Sequence, residues 1–179
     1  MSKKERIGIF VDGSNMYHYI RELGLARQLQ FDYKKFAEYL ARGRAIVGAK
    51  YYIGKVRTDG SQKSQELRAN QQRLWARLLS FGWEIEYGHM LKSDGTFHEK
   101  GVDVQIAVDL LKGAYKDLYD TAVLVSSDND LIPAIKEVQN SSKQLEYVGF
   151  SHRPSFGILK HSSIRTLLKK EDIVQFLPS

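Results

Sequence analysis

Apolar and polar positions along this chain come in blocks that switch period. RIGIFV (Arg6 to Val11) is an apolar run of strand length that ends at Asp12. Helical spacing follows in NMYHYIRELGL, where Ser14 or Asn15 is the expected cap. It returns in DYKKFAEYLARG, with Asp32 as cap and Phe36, Tyr39 and Leu40 on one face. AKYYIGKV (Ala49 to Val56) reads as the second strand, and RTDGSQ as a polar turn. KSQELRANQQRLWARLLSFG then repeats apolar residues at Leu67, Leu74, Leu78 and Phe81, a helical stripe. WEIEYGHM is a third strand, KSDGTFHEKG (Lys92 to Gly101) a turn-rich loop, and VDVQIAVDLLKGAY a helix. AVLV (Ala122 to Val125) is a buried strand, LIPAIKEVQ an amphipathic helix, and QLEYVGF the fifth strand.

Strands separated by helices imply a parallel sheet covered on both faces. Right-handed crossovers then lead to about five strands in the order 3-2-1-4-5. In that order the first and fourth strands are neighbours at the topological switch point, where α/β proteins bind ligands beyond the strands' carboxyl ends. Asp12 follows the first strand, and Asp128 and Asp130 follow the fourth. Capping of the next helix explains one aspartate of the VSSDNDLIPAI stretch comfortably and the second less well. A fourth carboxylate, Asp103, shares a helix face with Ala107, Leu110 and Ala114 and is expected to point inward, with Lys100 available to balance it. Asp109 falls with Gln105, Lys112 and Lys116 on a polar stripe and reads as a solvated surface residue.

Converging aspartates repel one another unless protons or metal ions neutralise them. Oxygen ligands without cysteine suit Mg²⁺ or Mn²⁺. Asn15 offers a neutral amide to a water or a phosphate oxygen, and Ser126 and Ser127 are candidate phosphate donors. No GxGxxG follows the first strand and no GxxxxGK[ST] occurs, so dinucleotide and P-loop readings fail. VDGSN lacks the second aspartate of the DxD of aspartyl-phosphate phosphatases, and the five histidines show no ligand spacing.

Length and composition narrow the class. A chain of 179 residues, 42% hydrophobic and 27% charged, suits one globular domain. No apolar run approaches the roughly 18 residues of a membrane span. The five-residue apolar stretch near the N-terminus is too short for a secretory signal, so a cytoplasmic protein is expected. The absence of cysteine removes disulfides, thiolate zinc sites and cysteine nucleophiles. Charge is unevenly spread: residues 1–77 carry 16 Lys/Arg against 7 Asp/Glu, net +9, and residues 78–179 carry 11 against 14, net −3. A basic half beside a carboxylate cluster suits a polyanion. Arg57 and Lys63 fall near the expected rim of the crevice, and Tyr17 is a candidate stacking surface.

IFVDGSNMY, EKGVDVQIAVDLL and VLVSSDNDLIPAI, in that order and spacing, resemble the three signature segments of the NYN domain. These are the limkain- and LabA-like members of the PIN-like nuclease superfamily. QLEYVGF and a helical tail to Ile173 fit as well, so the resemblance covers nearly the whole chain as a single domain, 1–179. It implies a three-layer PIN-like α/β fold and divalent-metal-dependent cleavage of RNA. Its acidic positions fall on Asp12, Asp103, Asp128 and Asp130, with Asn15 in the polar position after the first. The early-helix glutamate of many PIN nucleases has no counterpart, Glu22 and Glu38 reading as surface charges.

Two functions from different classes follow. One is a Mg²⁺- or Mn²⁺-dependent ribonuclease acting on single-stranded RNA. The other is an RNA- or protein-binding module that keeps the fold without efficient turnover. A small-phosphoester phosphatase fits the basic half less well. A homodimer suits an isolated domain of this size, although no segment specifies an interface.

Overall fold

The computed structural model describes residues 4–25, 28–55, 60–93 and 96–178, the side chains of residues 28 and 89–100 excepted. Among these described residues eight strands form: β1 (Arg6–Asp12), β2 (Ala45–Ile53), β3 (Glu84–Tyr87), β4 (His89–Ser93), β5 (Thr96–Lys100), β6 (Thr121–Val125), β7 (Gln144–Phe150) and β8 (Ile164–Leu168). Seven α-helices accompany them: α1 (Gly13–Glu22), α2 (Tyr33–Ala41), α3 (Gln62–Ser80), α4 (Val102–Tyr115), α5 (Ile132–Asn140), α6 (Phe156–His161) and α7 (Lys170–Val174). Six strands pair in one sheet in the order β3-β2-β1-β6-β7-β8. Every pairing in it is parallel. That is the expected order with one strand added at the edge.

Period-two alternation assigns each side chain of β1 to a layer. Ile7, Ile9 and Val11 face a core completed by Met16 and Ile20 of α1, Phe36 and Leu40 of α2, and Leu74 and Leu78 of α3. Phe10 belongs to the opposite core, with Ile106 and Leu110 of α4, Ile135 of α5 and Ile158 of α6. Asp12 has the parity of Phe10, so it emerges on the side where α4 begins. Right-handed crossovers account for the layers: the chain moves outward from β1 to β3 with helices on one face, then returns through α4 on the other. The helices leaving β1 and β6 diverge to opposite faces, which opens a crevice between those neighbouring strands.

Local chemistry explains where the elements start. Asp12, rather than Ser14 or Asn15, caps α1: its Oδ1 accepts the N–H of Asn15 at 3.0 Å. The helix therefore begins directly at the end of the strand. Gly13 permits this, because a Cβ there would lie 2.3 Å from Tyr51 Cε1 and 2.7 Å from the carbonyl oxygen of Tyr52. Asp32 caps α2, as expected, through the N–H of Lys35.

Other expectations are corrected. The second strand begins at Ala45, four residues before the predicted start, because Arg6 to Ile9 of β1 pair with its first residues across an irregularity at Val47. The segment read as a loop over Lys92 to Gly101 belongs to an antiparallel pair, β4 with β5. Leu67 and Phe81 are 49% and 37% exposed, since the buried stripe of α3 runs instead through Ser64, Gln71, Leu74 and Leu78. The tail is not wholly helical: Ile164–Leu168 pairs with β7 before α7 forms. Its β-branched residues and its alternation, with Leu168 buried and Arg165 and Leu167 exposed, favour an edge strand. Among the described residues no helix is long and apolar enough to cross a membrane.

Candidate active site

Asp12, Ser14, Gly101, Val102, Asp103, Val104 and Asp128 line an open cleft of about 530 Å³ at the carboxyl ends of β1 and β6. Three carboxylates thus come from three separate elements. Asp12 ends β1; Asp128 lies three residues beyond β6; Asp103 occupies the first turn of α4. Gly101 starts that helix with a φ of 88°, a left-handed conformation that favours glycine.

The strand register ties two of the three together. Val11 pairs with Val125, so the next residues, Asp12 and Ser126, stand side by side. The buried Ser126 hydroxyl donates to Asp12 Oδ2 at 3.2 Å, and its oxygen accepts the N–H of Asp128 at the same distance. Asp128 Oδ1 accepts the N–H of Asp130 at 3.0 Å and starts the short 3-10 turn Asn129–Leu131 that leads into α5. The capping reading of Asp128 is therefore correct for one of its oxygens.

Asp12 is 9% exposed, and burial raises its proton affinity above the ordinary aspartate value. Hydrogen bonds from Asn15, Ser126 and the Ser14 backbone oppose that rise, while the negative charge of Asp128 adds to it. No cation among the described residues forms an ion pair with it. Among the described residues every ion pair uses other acids: Glu5, Glu22, Glu84, Glu86, Asp109, Asp117, Asp120 and Glu146.

Other predicted residues make contacts of their own or lie apart from the cleft lining. Asp130 is exposed and does not line the cleft. Asn15 Oδ1 accepts the N–H of Ser127 at 3.1 Å, so this amide oxygen fastens α1 to the loop after β6. The Ser127 hydroxyl lies 2.9 Å from that of Tyr147. Ser126 and Ser127 are thus engaged in building the site, with their hydroxyls bonded to protein partners. Lys63 is exposed in the first turn of α3, apart from the cleft lining. Arg57 and the side chain of Lys100 lie outside the described residues. Asp103 is half-buried on the cleft wall rather than turned into the core.

Asp109 is the clearest departure. It is 6% exposed, accepts the Tyr52 hydroxyl at 2.9 Å and pairs with Lys50 at 3.1 Å. Lys50 also reaches Glu86 at 2.8 Å. The polar stripe of α4 faces water only in part, because one of its residues covers a lysine and a tyrosine of β2. The signal for this was the lysine in the otherwise apolar AKYYI of a central strand, which requires a buried acid nearby.

Among the described residues, no three histidine, aspartate or glutamate side chains stand close enough to enclose one metal ion. The donor set itself is all oxygen. That fits a hard divalent ion such as Mg²⁺, which keeps several waters and takes only one or two carboxylates.

The chain belongs to the NYN domain family, whose model matches residues 6–166. It is 26% identical over 146 residues to an uncharacterized protein of Methanocaldococcus jannaschii, a match covering 82% of this chain. The chain spans only 48% of that relative's length. Among solved structures it resembles a protein of unknown function from Vibrio parahaemolyticus, with a TM-score of 0.73, 24% identity and 99% of each chain covered. A zinc-bound T5 5′-exonuclease aligns at a TM-score of 0.42 and 16% identity, over 79% of this chain and 55% of that one.

Proposed function

We propose that this NYN domain is a divalent-metal-dependent ribonuclease that hydrolyses RNA phosphodiesters in the cleft of Asp12, Asp103 and Asp128. The observation that carries the proposal is the charge imbalance of the cleft. Three carboxylates line it, one of them nearly buried, and no lysine or arginine among the described residues pairs with any of them. Elsewhere in the protein buried acids have cationic partners: Glu146 has Arg44 at 2.7 Å and Asp109 has Lys50. An uncompensated acidic cleft is unfavourable in isolation and suited to a cation.

Asp12, Asp103 and Asp128 would hold Mg²⁺ or Mn²⁺, directly or through water. The ion, when bound, supplies charge neutralisation of the phosphate and a more acidic water. The chain's own part is positioning. Ser126 and the Asn15 amide fix both oxygens of Asp12, and the Asp130 amide orients Asp128. Asp103 joins them in the cleft lining from the first turn of α4. Lys63 and the other cations of the N-terminal half attract the polyanion without reading its sequence.

Incubation of a labelled single-stranded RNA with the purified protein tests this reading. Cleavage in Mg²⁺ or Mn²⁺ that stops with EDTA is the expected result. A protein that binds the RNA but leaves it intact under every metal condition would support the binding-module reading instead.

A further inference from the structure

Phe156 is 79% exposed, the most exposed of the protein's large apolar side chains among the described residues. It opens α6, immediately after the turn that follows β7. Two hydrogen-bonded links fasten that turn to the loop bearing Asp128. The buried Tyr147 hydroxyl accepts the N–H of Ser155 at 3.0 Å and lies 2.9 Å from the Ser127 hydroxyl, bridging the loops from below. The Ser155 hydroxyl donates to Asn129 Oδ1 at 2.6 Å, and Asn129 lies between Asp128 and Asp130. Packing is equally close, since a Cβ on Gly157 would lie 2.6 Å from that same Oδ1. Phe156 therefore opens a helix that is fastened to the loop bearing Asp128.

Single exposed rings are common on protein surfaces, so it is the neighbouring charges that decide what this one suits. Lys160 is exposed one turn along α6, on the face that Phe156 occupies. The Arg153 side chain, three residues before Phe156, is 70% exposed and pairs with Glu22 at 3.1 Å. An aromatic face with an exposed lysine one turn away, on a helix fastened to the loop of Asp128, fits an unpaired nucleotide, with the base on the ring and a phosphate on Lys160.

We infer that Phe156 is a base-stacking platform that positions a nucleotide next to the scissile phosphate and selects single-stranded over duplex RNA. The inference rests on the reading that an RNA strand occupies the acidic cleft. It deepens that reading by assigning the strand's path, which leaves Asp128 toward α6. Bases already stacked in a duplex have no face to offer the ring, hence the selectivity. Tyr17, the aromatic that the sequence suggests for this task, is half-buried and packs edge-on to His18.

The test is the binding of a short fluorescein-labelled oligouridylate, followed by anisotropy in EDTA so that no turnover intervenes. Phe156→Ala and Phe156→Leu should each weaken binding about 5- to 100-fold. Phe156→Trp should retain it, with the added tryptophan emission quenched by the oligonucleotide. The salt dependence should keep its slope, because no ionic contact is lost, and the weak binding of a duplex should not change. Wild-type affinity in the alanine variant overturns the inference while leaving the nuclease reading intact. Tight, Phe156-dependent binding by a protein that never cleaves supports the inference and removes the nuclease reading. No binding by the wild-type protein overturns both. A Phe156→Ala effect on self-association, with RNA affinity unchanged, assigns the ring to a protein interface and overturns the inference.

Discussion

The hydroxyl of Ser126 lies 3.2 Å from Asp12 Oδ2 and, at the same distance, accepts the N–H of Asp128. One small side chain thus joins the two strands that meet at the switch point and sets the spacing of two cleft carboxylates. Ser126→Ala leaves a buried carboxylate oxygen and a backbone amide each without this partner. The variant should lose roughly 1–3 kcal/mol of stability by denaturant titration. Its metal response should weaken as well, because Asp12 is no longer held.

Asp12 should limit the stability of the metal-free protein at neutral pH. Its proton affinity is higher in the folded chain than its ordinary value of 3.8, chiefly through burial. A carboxyl raised in this way favours the fold when protonated, below the ordinary aspartate range. That contribution is lost as pH rises from the ordinary value through the raised one. Asp12→Asn keeps an oxygen for the Asn15 amide and removes the charge. Above that window its melting temperature without metal should equal or exceed wild type, whereas at low pH the difference should vanish. Melting with added Mn²⁺ should stabilise wild type and leave this variant unmoved.

Asp109 and Asp103 share a helix and should behave oppositely. Removing Asp109 strands the buried Tyr52 hydroxyl and takes one of its acidic partners from Lys50. Asp109→Ala should therefore cost roughly 2–4 kcal/mol of stability, and the remaining folded protein should still respond to Mn²⁺. Asp103→Asn touches only the cleft wall. It should melt like wild type without metal and lose most of the Mn²⁺ stabilisation. Parallel melting curves of the two variants separate a structural acid from a site acid.

What the sequence makes legible is set by how local each signal is. β1 and β6 are visible because RIGIFV and AVLV are apolar runs bounded by polar residues, and their position at the crevice follows from chain order and handedness. Asp12, Asp103 and Asp128 are legible for the same reason, each standing at an element's end. Asp109 is not, because α4 reads as exposed there until Lys50 and Tyr52 of β2 are known to lie under it. Ser126 looks like a loop donor until the register sets it beside Asp12. Phe156 sits in the turn-rich SHRPSFG, where periodicity carries no information about exposure. β8 was hidden by its length of five residues beside helical neighbours.

The central claim is that the charge of the cleft carboxylates, through a divalent ion, cleaves RNA. Asp128→Asn tests it most directly, because its Oδ1 serves only the Asp130 amide and an asparagine oxygen can do the same. Folding should be unchanged while Mn²⁺-dependent cleavage of single-stranded RNA, measured under single-turnover conditions, falls about 10²-fold or more. Asp130→Asn, an exposed position away from the cleft lining, should fall far less. Cleavage by the Asp128→Asn protein at the wild-type rate would contradict the account.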